Sequence, residues 1–169
     1  MQVSVQTKAA ENPQRGNLLR PIQFPTDNQG IQATENSLRT DCQFIEMLDA
    51  YRPSGGLARL QELASRQRGL GAPDVNHLVG CISRRELICF EWQSHAWLPL
   101  FQFSALGAKP LVQLQPVLIE LRCIYEPWEL AQWFSRPHPL LADHVPADFL
   151  ANDSESVLQA ARLDRFAMN

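Results

Sequence analysis

Side chains capable of chemistry are sparse in this chain, and the densest group lies near its C-terminal end. His138, Asp143 and His144 put two imidazoles and a carboxylate within seven residues, a spacing that could begin a metal site. No third strong ligand follows nearby, and zinc centres need three or four protein ligands. A polar corner is the simpler reading. Cys42, Cys81, Cys89 and Cys123 lie far apart, and none belongs to a Cys-x-x-Cys pair. Each falls on an apolar periodic position, which fits the packing of reduced thiols better than nucleophilic catalysis. The sequence contains no GxSxG elbow, P-loop or dinucleotide-binding glycine pattern. Trp92 and Trp97 flank a short loop and could stack on bases, although interior packing is the commoner use of such residues. The expectation is a binding protein without a cofactor or metal, and not an enzyme.

Arginine supplies the second candidate chemistry. Residues 52–85 carry six arginines against Glu62 and Asp74, a local charge of +4 in a chain of net charge −3. Residues 126–169 carry three basic against seven acidic groups, giving −4. Guanidinium groups make bidentate contacts to phosphate and carboxylate. Arg59, Arg66, Arg68, Arg84 and Arg85, with Asn76 and His77, are therefore the candidate contacts to DNA. A solvated basic surface would carry the same pattern.

These residues need elements to position them. The 169 residues suffice for one domain or slightly more, and their 45% hydrophobic content is ordinary for a globular chain. No apolar run is long enough for a membrane span. The opening MQVSVQTKAAENPQRGN lacks the apolar stretch of a secretory leader, so the cytoplasm is the expected compartment. Residues 1–36, rich in Gln, Asn and Pro, predict a mobile or surface-draped arm. From Ser37 the spacing of Leu38, Phe44, Ile45, Leu48 and Tyr51 predicts a first helix capped at Thr40 or Asp41. RPSGG breaks it. Leu57, Leu60, Leu63 and Ala64 predict a second helix, RGLGAP a turn, and Val75, Leu78, Val79 and Ile82 a third helix opening at Pro73.

The period then changes. ELICFEW (86–92) and AWLPLFQF (96–103) predict an aromatic β-hairpin around QSH. Ile88, Phe90 and Trp92 share a face of the first strand, Trp97, Phe101 and Phe103 a face of the second, and Pro99 demotes its strand to an edge or bulge. SALGAKP reads as a loop, and VQLQPVLIELRCIY as a helix with Pro116 in its first turn. Helices, turn, helix and hairpin in this order match a winged helix-turn-helix, with residues 37–85 as its basic part. The hairpin is too aromatic for a wing lying on phosphates and reads as core.

The segment PWELAQWFSRPHPLLADHVPADFL (127–150) holds two tryptophans, two phenylalanines and four prolines. Pro127 beside Glu126 predicts a helix start, and Pro137 and Pro139 stop that helix. Val145-Pro146 opens another short helix with Asp148 in its first turn and Phe149 and Leu150 facing inward. SESVLQAARLDRF closes the chain as a helix capped by Asn152 or Asp153. A helix apolar over more than half its girth must be covered on two sides. One cover is the domain itself; the other is the hairpin, a second copy or a partner.

The succession WELAQWF, Pro-His-Pro-x-Leu, VPADFL and VLQAA, preceded by LPLFQF, resembles the C-terminal toxin-binding domain of the Xre/MbcA/ParS antitoxin family over residues 86–166. That family shows a Trp-rich helix, a Pro-Asn-x-x-Leu turn, a Gly-Gly-Arg-x-Pro-x-Asp-Leu-Leu segment and a closing helix. Here His138 stands at the Asn position, and Ala142-Asp143-His144 replace Gly-Gly-Arg. The resemblance implies a non-enzymatic, often dimeric antitoxin that neutralises a co-encoded toxin, typically a RES-domain enzyme acting on NAD. Such proteins often repress their own promoter. Carried onto this chain, the toxin-facing candidates are His138, Leu141, Asp143 and His144 at the corner and Arg162, Asp164, Arg165 and Phe166 at the end. Trp128, Trp133, Pro146, Asp148 and Leu150 match fold-defining positions.

The expected protein is thus a mostly α-helical α+β chain. Its parts are a polar arm (1–36), a helix-turn-helix-like region (37–85), and a hairpin with a C-terminal helical domain (86–169). It is expected to act as a homodimer, with a toxin and operator DNA as partners and no membrane contact. A DNA-binding regulator without a toxin, or an adaptor, is the alternative.

Overall fold

Phe44 and Met47 lie three residues apart, so one helical face carries both into the core. They belong to α1 (Asn28–Ala50) of a computed structural model that describes residues 28–66, 75–104 and 107–168. This helix starts nine residues before Ser37, so residues 28–36 are helical and not part of an arm; residues 1–27 lie outside the described residues. The apolar spacing marks only the half of α1 that packs, and the mostly polar residues 28–36 carry no such periodic signal. Thr40 and Asp41 are consequently mid-helix, not caps. Asp41 instead accepts the Trp92 indole N–H at 3.0 Å.

After α1, Tyr51 is buried and its hydroxyl donates to the Ala131 carbonyl at 2.6 Å. Gly55 and Gly56, with φ of 106° and 87°, reverse the chain. That turn delivers Leu57–Arg59 as an extended strand, β1, where a helix was expected, and α2 (Leu60–Arg66) begins only after it. β2 (Phe90–Trp92) and β3 (His95–Pro99) form the hairpin. They join through a two-residue turn at Gln93 and Ser94, both at positive φ, as the twist of a tight hairpin demands. His95 is therefore part of a strand and not of the loop.

β1 pairs with the far side of β3, giving the order β1-β3-β2, all antiparallel. Pro99 thus ends the central strand and does not mark an edge. Its missing N–H falls where the chain leaves the sheet for a 3-10 turn at Leu100–Gln102. Phe101 sits in that turn, off the strand face, and stacks on Tyr51 at 5.7 Å between ring centres. β4 (Phe103–Ser104), which starts on the last residue expected in the hairpin, and β5 (Gly107–Pro110), in the segment expected to be loop, make a second small ladder.

α3 (Val75–Ser83) is where the spacing predicts it. Its proposed start at Pro73 and the RGLGAP turn lie outside the described residues. α4 (Leu114–Leu121) has Pro116 in its first turn and is shorter than its apolar run. α5 (Pro127–Ser135) opens with Pro127 and a reciprocal capping box between Glu126 and Glu129. A 3-10 turn at Pro139–Leu141, α6 (Pro146–Phe149) and α7 (Ser154–Met168) complete the chain. Asp153 is the cap of α7: its Oδ1 accepts the Ser156 N–H at 3.0 Å.

The main core joins Phe44 and Met47 to Trp97, Leu118, Phe134 and Ala160. Ala160 and Ala161 let α7 lie close against α4 because neither carries more than a methyl group. A second, smaller cluster of Leu78, Cys81, Leu87 and Leu98 fastens α3 to the sheet. α1 therefore shares its core with the C-terminal helices. Among the described residues no helix is long and apolar enough to cross a membrane.

Candidate functional site

The proline-stiffened corner between α5 and α6 is built around His138. Its backbone N–H donates to the His144 carbonyl at 3.1 Å, and its carbonyl accepts from Leu141 and Asp143. Closing so tight a loop forces Ala142 and Asp143 into the left-handed region, at φ of 52° and 61°. These are the two positions where the resembled family carries glycine.

The His138 ring fastens the corner to the last helix. Nδ1 lies 3.3 Å from the Leu140 N–H, and Nε2 lies 3.0 Å from Asp164 Oδ2. The neutral tautomer with its proton on Nε2 satisfies both contacts. The same Asp164 oxygen accepts the Trp133 indole N–H at 2.7 Å. One carboxylate thus holds α5, the corner and α7 together. A second tie joins α7 to α4: Glu120 accepts from Arg165 Nη1 at 2.6 Å and from Arg162 Nε at 3.5 Å. The Arg165 hydrogen bond, aided by that of Arg162, holds the Glu120 carboxyl below its usual range against the opposing effect of burial.

Of the eight corner and tail candidates, four are therefore committed within the chain: His138, Asp164, Arg162 and Arg165. Leu141, 3% exposed, belongs to the core of the free chain and does not face solvent. Asp143 and His144 are exposed, with His144 stacked on Phe149 at 4.9 Å. Phe166 is 82% exposed, with Leu163 at 44% one turn before it and Met168 at 63% at the end of the helix. Exposed Leu140 adds an apolar group at the corner.

The two imidazoles do not converge on a metal. His138 Nε2 faces Asp164, and His144 Nδ1 lies 2.7 Å from the Leu141 carbonyl. Among the described residues no three His, Cys, Asp or Glu side chains are grouped to hold an ion.

The basic block is also largely engaged. Arg84 makes a bidentate pair with Glu86 at 2.8 and 2.9 Å, and Arg85 lies 3.8 Å from Glu126. The Arg59 guanidinium lies 5.0 Å above the Trp97 ring. Asn76 and His77 are exposed at the start of α3. The Arg66 side chain and Arg68 lie outside the described residues. Trp92 does not await a base: it stacks on Phe44 at 3.7 Å between ring centres.

Cys42 and Cys123 are exposed, contrary to the expectation of four packed thiols; Cys81 is buried and Cys89 half-buried. Cys42 sits on α1, whose apolar stripe is wider than the face it buries, and Cys123 lies in the turn that follows α4.

Sequence reasoning missed the role of Gln102. Wholly buried, its side-chain amide donates to the Ile88 carbonyl at 3.0 Å and accepts the Ile88 N–H at 2.8 Å. The signal was available as a lone amide between two phenylalanines in an otherwise apolar run.

Comparison of the chain with family models, with curated proteins and with solved structures returns no match.

Proposed function

We propose that this chain is an antitoxin-like regulatory binding protein, not an enzyme, whose C-terminal end docks on and neutralises a co-encoded toxin. The observation that carries the reading is the end of α7. Two ionic ties and a shared carboxylate hold this helix rigidly, yet Leu163, Phe166 and Met168 stand out into solvent. A preordered helix with an exposed aromatic anchor loses little entropy on docking. The paired left-handed residues at 142 and 143 support the same reading, because the resembled family places glycines there. A RES-domain enzyme is the toxin that resemblance suggests.

The test is co-expression with the neighbouring reading frame. Growth arrest by that neighbour, relieved by this chain and restored by Phe166→Glu, is the expected result. Deleting residues 162–169 would be less informative, since it removes Asp164 and Arg165 and so loosens the fold. A harmless neighbour that does not co-purify would overturn the reading.

Operator binding is the second reading, and the topology favours it. The order α1, β1, α2, α3, β2, β3 with a β1-β3-β2 sheet is that of a winged helix-turn-helix. Asn76 and His77 on α3 would then face bases, and Arg84 would exchange its Glu86 pair for a phosphate. Each phosphate contact contributes about 0.9 to the salt slope of duplex affinity. Arg84→Ala should flatten that slope by about one such unit; an unchanged slope, or no binding, removes the DNA role.

A further inference from the structure

We propose that the cleft between α3, α4 and α5 binds a short aliphatic carboxylate, with Arg85 and Arg122 receiving its head group. The cleft has a volume of about 130 Å³. It lies at the seam of the two cores: Leu87 belongs to the smaller one, Ile88, Leu118 and Leu130 to the larger, and Ile82 closes one side. An apolar cavity of roughly 150 Å³ accepts benzene, so this space suits a chain of about six carbons.

Charge selects the head group. Arg122 is half-buried in the cleft wall and, among the described residues, has no ion-pair partner. Arg85 has only Glu126 as a partner, at 3.8 Å, beyond hydrogen-bonding distance. The Glu126 carboxylate is already engaged in the capping box of α5. Burial pushes the Cys89 thiol up to about 11, so this wall adds no negative charge near neutral pH. An apolar tail with a single anionic end complements such walls; a cation or a neutral alcohol does so less well.

This site stands whether or not the chain binds a toxin, because neither arginine belongs to the exposed end of α7. The test is calorimetric titration of the full chain with hexanoate, 1-hexanol and acetate. Saturable hexanoate binding is expected about tenfold tighter than 1-hexanol, which lacks the charged hydrogen bond worth about 1.5–3 kcal/mol (1.4 kcal/mol is tenfold), and at least about tenfold tighter than acetate, which lacks the apolar tail. Arg122→Gln should weaken hexanoate by about tenfold while leaving 1-hexanol unchanged. Ile82→Trp should block hexanoate in a chain that still melts cooperatively, and the exposed end of Arg122 keeps the first variant foldable if the second is not. Equal affinity for hexanoate and 1-hexanol would overturn the role of the arginines. Acetate binding as tightly as hexanoate, or no saturation by about 10 mM, would overturn the site itself.

Discussion

Ala142 and Asp143 occupy a conformation that ordinary residues resist. A left-handed backbone costs an L residue about 1–2 kcal/mol, and Asp tolerates it better than Ala. The loop hydrogen bonds at His138 hold both in place. Ala142 is exposed, so its methyl group has little packing to lose. Ala142→Gly should therefore stabilise the fold by about 0.5–1 kcal/mol, the relief of strain exceeding the extra freedom of the unfolded glycine. Urea denaturation reads this directly; a loss of stability would mean that the strain is absorbed elsewhere in the loop.

At the scale of elements, side chains complete what the backbone leaves open. Ile88 precedes β2, and the Gln102 amide pairs with both its backbone groups as a neighbouring strand would. Gln102→Leu keeps the apolar volume but orphans a buried N–H and a buried carbonyl, each costing about 1–3 kcal/mol. The expected loss is roughly 2–6 kcal/mol, far above that of a surface change, and a drop under about 1 kcal/mol would mean that water replaces the amide.

The α4–α7 tie makes a separate prediction about acid. The Glu120 carboxyl titrates lower in the folded chain than its ordinary 4.5 in the unfolded one. Its stabilisation is thus complete above the unfolded value and disappears as pH falls through the lower, folded value. Glu120→Gln should flatten the fall in melting temperature between about pH 6 and pH 3. An equal fall in both proteins would assign acid sensitivity to other carboxylates.

For the whole molecule, the face of α1 turned away from the core matters most. Leu38, Cys42 and Ile45 are exposed and recur at i, i+4 and i+7, a stripe suited to a second copy of the same helix. If the chain pairs there, Ile45→Glu should turn a dimer into a monomer in sedimentation velocity. An unchanged sedimentation coefficient would exclude this face. The shared core also constrains architecture: Tyr51 bonds Ala131 across eighty residues of sequence, and α1 packs in one core with the C-terminal helices.

What the sequence determined by itself was local. Pro127, Pro146 and Asp153 mark helix starts because capping engages only the next three or four residues, and the chemistry is written in that span. The corner from Pro137 to Val145 was legible for the same reason. Tertiary structure alone decided the rest. β1 is three residues long and has no periodic signal; it exists because β3, about forty residues on, offers an open edge. The apolar stripe of α1 did not say which residues would be buried, and Leu38 and Ile45 were left outside. Nor could spacing reveal that Asp164 would be drawn inward by Trp133 and His138 while Phe166, two residues later, points to solvent. A helix turns about 100° per residue, so adjacent tail residues meet opposite environments, and only the packing of α7 on α4 and α5 sets which is which.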